Sequence, residues 1–217
     1  MQEERVIEGF DLDKLNEAQE KTIYLLNDLA TQIRPGMTEQ AAMVLYNNLQ
    51  MESDAERYWH PPKIRFGVNT LKSFREPSEP DVVLKENDIF FLDVGLVFDG
   101  YEGDAGRTFV LGQYPEGKKA RLTCETINKS VRAAYLDKRF SGEELYKYAE
   151  KLASEAGYEL VVDGARGHRI GDFPHAAYYK GYLNEFKSEP APNRWILEIQ
   201  IRDLKNQVGA FYEDILY

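Results

Sequence analysis

Cysteine is almost absent from this 217-residue chain. Cys124 stands alone, which excludes an internal disulfide framework and a cysteine-built zinc cage. Histidine is nearly as scarce, with only His60, His168 and His175. Basic residues are outnumbered, 27 against 37 acidic ones, for a formal net charge of −10. A surface that acidic lacks the clustered Lys and Arg that a phosphate backbone or an anionic membrane would require. No apolar run approaches the roughly 20 residues needed to span a bilayer. The start, Met-Gln-Glu-Glu-Arg, lacks the basic and apolar stretches of a secretion signal. The expectation is a reduced, cytoplasmic protein whose 43% hydrophobic content supplies an ordinary globular core.

Apolar spacing predicts a helix from about Asp13 to Ile33, stopped at Pro35-Gly36, and a second beginning after Thr38. A proline-rich stretch around His60-Pro61-Pro62 to Pro80 reads as irregular. The dense run from Asp88 to Phe98 reads as a buried strand. It turns at Asp99-Gly100, a dipeptide that tolerates positive φ, into a second strand through Thr108-Phe109-Val110. The second half repeats the plan: a helix over about Lys118–Tyr135, another capped by Ser141 with Glu144 completing a capping box, and strands over Tyr158–Val162, Trp195–Ile201 and Ala210–Tyr217. Thr38 and Ser141 hold equivalent places 103 residues apart, which suits either an internal duplication or two unrelated helix pairs of an α+β protein.

Most of the acidic residues fall on helices and loops, where water suffices. Asp93, Glu198 and Glu213 instead interrupt apolar strand runs. A carboxylate there is costly unless it lies on an outward edge, is paired, or binds a cation, and three such placements with few basic neighbours point to a bound cation. Asp104 follows Asp93 across the turn, close enough for two carboxylates to share an ion; a bulge at Gly103 or Gly106 would tune the register. In Gly167-His168-Arg169-Ile170-Gly171-Asp172-Phe173-Pro174-His175 the histidine spacing is not a zinc signature, and alone the pair reads as structural. Cys124 is expected buried and inert. Tyr178, Tyr179 and Tyr182 are expected to pack rather than to line a pocket.

In order, these segments resemble the pita-bread metallopeptidases: methionine aminopeptidase, aminopeptidase P and prolidase. The resemblance runs from Ile33-Arg34-Pro35-Gly36-Met37-Thr38-Glu39 to Glu213-Asp214 and is densest over Leu92-Asp93-Val94-Gly95, Asp99-Gly100-Tyr101, Gly103-Asp104 and Arg107-Thr108-Phe109. It implies an α+β pita-bread fold, an antiparallel sheet with pseudo-twofold-related helix pairs on one face, and a single catalytic domain over residues 1–217. It further implies two divalent ions (Mn, Co, Fe or Zn) held by Asp93, Asp104, His168, Glu198 and Glu213. A metal-bridging hydroxide would then cleave the amide of an N-terminal residue or a dipeptide. Glu198 would move protons to the leaving amine, and His175 would meet the substrate or the developing oxyanion. Arg75 stands where methionine aminopeptidases carry a substrate-binding histidine. His60 is the candidate to replace it, against the plainer reading of a surface-loop residue.

Three further departures mark this chain: Ile199 follows Glu198 where the family has proline, the hairpin between the last two strands is short, and Phe211 replaces an arginine of aminopeptidase P and prolidase. The resemblance implies an aminopeptidase of Xaa-Pro type rather than one removing Met. Partners would be a peptide or dipeptide substrate, with a homodimer as a candidate assembly and neither nucleic acid nor membrane. The rival readings are a creatinase-like C–N hydrolase and a non-catalytic pita-bread module that binds peptides or proteins.

Overall fold

The computed structural model describes residues 4–217, so the first three residues of the N-terminal reading lie outside the described residues. In chain order the elements are helices α1 (Leu12–Gln32) and α2 (Glu39–Glu52), then strands β1 (Arg57–Tyr58), β2 (Lys63–Phe66), β3 (Ile89–Phe98) and β4 (Tyr101–Val110). Helices α3 (Pro115–Lys138) and α4 (Gly142–Glu155) follow, then β5 (Glu159–Leu160), β6 (Ile196–Asp203) and β7 (Val208–Ile215). Local chemistry sets the helix starts. The Asp11 carboxylate accepts from the Asp13 and Lys14 amides, the Thr38 hydroxyl accepts from the Ala41 amide, and Ser141 and Glu144 cap each other reciprocally. None of the helices among the described residues is long and apolar enough to cross a membrane.

The strands form one antiparallel sheet in the order β1-β3-β4-β7-β6-β5, with β2 also on β3. The two hairpins meet at β4 and β7, and each half brings its own helix pair. Leu15, Ala18, Leu25, Leu26 and Leu29 of α1 pack with Leu92, Val94, Leu96 and Ala105 of the first hairpin. Ala120, Cys124, Ile127 and Val131 of α3 pack with Leu197, Ile199, Ile201 and Ala210 of the second. Each fully buried Leu or Ile contributes about 1.5–3 kcal/mol, so this face carries much of the stability. Gly103 is required there: a Cβ would lie 2.4 Å from the Ala18 carbonyl oxygen of α1. Cys124 is buried as expected; its Sγ donates to the Ile199 carbonyl at 3.1 Å, and burial pushes the thiol pKa well above its ordinary value.

Three expectations need correction. The stretch read as irregular from His60 to Pro80 holds strand β2, Lys63–Phe66, which pairs antiparallel with β3. The first hairpin has no bulge: its ten pairs run unbroken from Ile89↔Val110 to Phe98↔Tyr101. Asp99 and Gly100 both adopt positive φ (47° and 76°), and such a two-residue turn sets the register without help. The glycines serve close packing instead. The strand expected over Tyr158–Val162 is cut to Glu159–Leu160, because Val161 meets β6 only through a final backbone bond to Gln200. The second hairpin is short, as expected: only Leu204 to Gln207 separate β6 from β7, and the Asp203 carboxylate accepts from the Lys205 and Asn206 amides.

Candidate metal centre

Strand pleating decides what faces the open side of the sheet. On β3 the even-numbered residues meet the helices, so Asp93 and Gly95 point away from them; on β4 the same holds for Glu102, Asp104 and Gly106. Register then aligns Asp93↔Gly106, Gly106↔Glu213 and Glu213↔Glu198 in one row across four strands. Asp104 lies opposite Gly95, one diagonal step from Asp93. None of β3, β6 and β7 is an edge strand. The outward-edge reading of these carboxylates therefore fails: all four are at most 5% exposed.

Segment 167–175 crosses over this row. The Ile196 amide donates to the His168 carbonyl at 2.8 Å, and the Glu102 amide donates to the Gly171 carbonyl at 2.8 Å, tying the segment to β6 and β4. His168 is thereby held with Nδ1 2.7 Å from the Arg169 carbonyl, and its Nε2 faces Asp104 Oδ2 at 3.0 Å and Glu213 Oε1 at 3.6 Å. From the other side His60 reaches in, with Nε2 3.2 Å from Asp104 Oδ1 and 3.6 Å from Asp93 Oδ1. The surface-loop reading of His60 is thus overturned; its side chain is 15% exposed. Gly95 makes room for it, since a Cβ there would come within 2.4 Å of both the His60 ring and the Trp59 indole nitrogen. Ligand atoms of His60, Asp93 and Asp104 lie within 4.8 Å of one another, as do those of Asp104, His168 and Glu213. Glu198 stands beside them, its carboxylate accepting from the Gly167 amide.

The electrostatics are those of a crowded anion site. Burial, then repulsion from Asp104 and Asp93, raises Glu213 well above the usual carboxylate range. Burial likewise raises Glu198, and raises Asp93 to about 7. Burial acts to raise Asp104 as well, but His60 and His168 outweigh it and hold this carboxyl below its ordinary value. The imidazoles answer in kind: against burial, Asp93 and Asp104 carry His60 up to about 9, and Asp104 and Glu213 raise His168. Among the described residues no Lys or Arg side chain forms an ion pair with these four carboxylates. Lys63 lies opposite Asp93, but its ammonium sits over the Phe74 ring, 4.6 Å from the centroid. Glu213 Oε2 is buried with no hydrogen-bond partner. Four carboxylates, imidazole nitrogen and an orphaned buried oxygen fit divalent cations that accept mixed oxygen and nitrogen donors, and the absence of sulfur disfavours thiophilic ones.

Around the cluster lies a cavity of about 290 Å³, walled by Trp59, Phe74 and Tyr182, with Arg75 and Arg166 at its rim. His175 closes one side, its Nδ1 hydrogen-bonded to the buried Glu102 carboxylate and its ring stacked 5.5 Å from His168. Arg75 pairs loosely with Asp163 at 3.5 Å. Arg166 lies over the Tyr182 ring, 3.4 Å from the centroid. Of the three tyrosines, Tyr179 packs on Trp195 and Phe186 as expected, whereas Tyr182 lines the cavity, because Arg166 holds its ring there. Sequence reasoning missed Glu102, Trp59 and Arg166. Glu102 was legible in principle, being two residues before Asp104 on the same strand and hence on the same face.

Comparison with known proteins places this arrangement. The profile of metallopeptidase family M24 matches residues 13–217. The chain belongs to family M24. Among M24 relatives, the methionine aminopeptidase of Chlamydia trachomatis serovar D is 27% identical over 191 residues, covering 83% of this chain and 64% of that protein. The Chlamydia pneumoniae methionine aminopeptidase is 30% identical over 189 residues, covering 82% and 63% respectively. The chain thus spans just under two thirds of the length of these curated relatives. In fold it is similar to the X-Pro aminopeptidase of Thermotoga maritima (TM-score 0.77, 21% identity, 97% of this chain and 58% of that one). It is also similar to the methionine aminopeptidase of the same organism (TM-score 0.70, 14% identity, 98% and 94%). The M24 fold is the α+β pita-bread architecture expected, with its helix pairs on one face.

Proposed function

We propose that this chain is a divalent-metal-dependent aminopeptidase, a single catalytic domain acting on peptide N-termini or dipeptides. The observation that carries the reading is the row of buried carboxylates on the open face of an M24 sheet, facing imidazoles and, among the described residues, in no ion pair with Lys or Arg. Asp93, Asp104, His168, Glu198 and Glu213 would hold two ions, drawn from Mn, Co, Fe or Zn. When bound, such ions supply Lewis acidity toward an amide carbonyl and lower the pKa of water. Four negative charges balance two divalent cations, which would offset both the burial that chiefly raises Asp93 and Glu213 and the carboxylate repulsion that adds to it.

The remaining chemistry belongs to the chain. Glu198, fixed by the Gly167 amide, is the carboxylate we assign to carrying a proton to the leaving amine. His175 is assigned to hydrogen-bond the substrate or its developing oxyanion. Glu102 holds the Nδ1 side of His175, which leaves Nε2 as the polar atom available to a substrate. Trp59 and Phe74 exclude water from the cavity walls. The Arg107-Thr108-Phe109 pattern supports an Xaa-Pro preference over Met removal, and the single buried thiol suits a reducing, cytoplasmic setting.

The test is a panel of Xaa-Pro, Met-Xaa and other short peptides, assayed before and after chelation. Hydrolysis that disappears with chelator and returns with metal is expected. Alongside it, His175→Ala should keep its metal while turnover falls about 10²-fold or more, the usual effect of losing a group that moves or donates a proton. Peptide cleavage that survives chelation, or no cleavage by metal-loaded protein, contradicts the reading.

A further inference from the structure

We propose that His60 is a sixth ligand of the metal centre rather than a substrate-binding residue, so that each ion meets one imidazole; this rests on the metallopeptidase reading above. The resemblance implies five ligands with a single histidine, His168. The geometry gives His60 the same setting. In both residues Nδ1 faces the carbonyl of the next residue: Pro61 at 3.0 Å for His60, Arg169 at 2.7 Å for His168. A carbonyl at Nδ1 takes the N–H and leaves the Nε2 lone pair free, the usual arrangement behind a metal-bound imidazole. In both residues Nε2 then points at the same carboxylate. Asp104 presents Oδ1 to His60 at 3.2 Å and Oδ2 to His168 at 3.0 Å. The second neighbour differs in each case, Asp93 Oδ1 for His60 and Glu213 Oε1 for His168, both at 3.6 Å.

Two triads therefore share Asp104, one on each side: His60, Asp93 and Asp104, and Asp104, His168 and Glu213. A substrate-binding role would need a His60 nitrogen free toward the cavity, and neither is. One is tied to the backbone and the other lies among the carboxylate oxygens. Gly95 is the structural condition for this, since it lies opposite Asp104 in the register and any side chain there would displace the His60 ring. The second triad supplies independent support for a bound cation, because Glu213 is 1% exposed and its Oε2 has no partner.

The experiment strips the purified full chain with chelator and titrates Co²⁺ or Zn²⁺, reading stoichiometry by elemental analysis, affinity by calorimetry and imidazole count by X-ray absorption at the metal edge. Wild-type protein should bind about two ions with about one imidazole per ion. His60→Ala should weaken one of the two sites by more than the roughly 10–100-fold that losing a residue behind a ligand costs. It should also halve the imidazole count. His60→Gln, closer in size, guards against misfolding. Gly95→Ala retains the histidine but pushes its ring away, and should reproduce the weakened site. Unchanged affinities and imidazole count in His60→Ala, with only KM raised, would overturn the ligand assignment while leaving the metallopeptidase reading intact. Failure of wild-type protein to bind either metal would overturn both.

Discussion

Glu213 and Asp214 are neighbours on β7, yet the pleat of the strand sends them to opposite faces of the sheet, and their surroundings could hardly differ more. Asp214, on the helix side, accepts from Arg107 Nη2 at 2.6 Å, from Gln19 Nε2 at 2.9 Å and from the Ile215 amide at 2.9 Å. Gln19 in turn clamps the Asp104 backbone, accepting from its amide and donating to its carbonyl. Glu213, on the open side, has His168 Nε2 at 3.6 Å and three other carboxylates around it, with one oxygen orphaned. Both carboxylates are buried, but only Asp214 is internally satisfied. A buried charge that the protein supplies with a cation and donors belongs to structure, whereas one held apart from every Lys and Arg belongs to a ligand. The helix face provides the stability that lets the open face keep like charges together.

That contrast can be broken by exchanging charge for amide at each position. Glu213→Gln should abolish tight binding of at least one metal ion and lower peptidase turnover by at least about 10²-fold, the scale of losing a group essential to water activation. Its metal-free form should be no less stable than wild type, because a repelled charge has gone. Asp214→Asn should do the reverse. Metal content should persist, while denaturant unfolding should show a loss of about 2–4 kcal/mol, near the cost of breaking a largely buried ion pair. If Glu213→Gln destabilised the metal-free chain as much as Asp214→Asn, the distinction between the two faces would collapse.

A smaller effect sharpens the same comparison through pH. In the metal-free protein Asp93 is raised from 3.8 to about 7, chiefly by burial. Between those values the folded state holds a proton that the unfolded chain has lost, so stability falls as pH rises through the window. His60 is carried from 6.5 to about 9, with Asp93 and Asp104 overcoming the opposing effect of burial. Its contribution is complete below 6.5 and is lost as pH rises through about 9. Both act in one direction, so thermal melts of chelated protein should show Tm falling from about pH 5 to about pH 9. Added metal should restore Tm at the alkaline end with release of protons. A Tm of the chelated protein that is flat or rises over this range would mean the open face is not strained.

Much of this contrast is legible in the amino-acid sequence itself. The alternation of Phe90, Leu92, Val94 and Leu96 with Asp93 and Gly95 assigns the two faces of β3, and Asp99-Gly100 fixes the turn that brings Asp104 back beside Asp93. The helix caps at Thr38 and Ser141 follow from side-chain chemistry acting within three residues. What escapes such a reading is what depends on contacts across the chain. Nothing local to His60 says that its imidazole enters the cluster, because the room it needs is the missing side chain of Gly95, 35 residues on. Glu102 reads as one more surface acid until segment 167–175 folds over and sets His175 against it. Arg166 and Tyr182 meet only because short backbone bonds, Leu183 to Gly167 and Asn184 to Arg166, draw their loops together.

The most direct measurement is a crystal structure of the metal-loaded protein with anomalous data collected at the metal edge. Two anomalous peaks are expected on the open face between Asp93 and Glu213, both in contact with Asp104 and each with one imidazole. Density with no such peaks, or with ions bound only outside this row, would contradict a paired-cation centre.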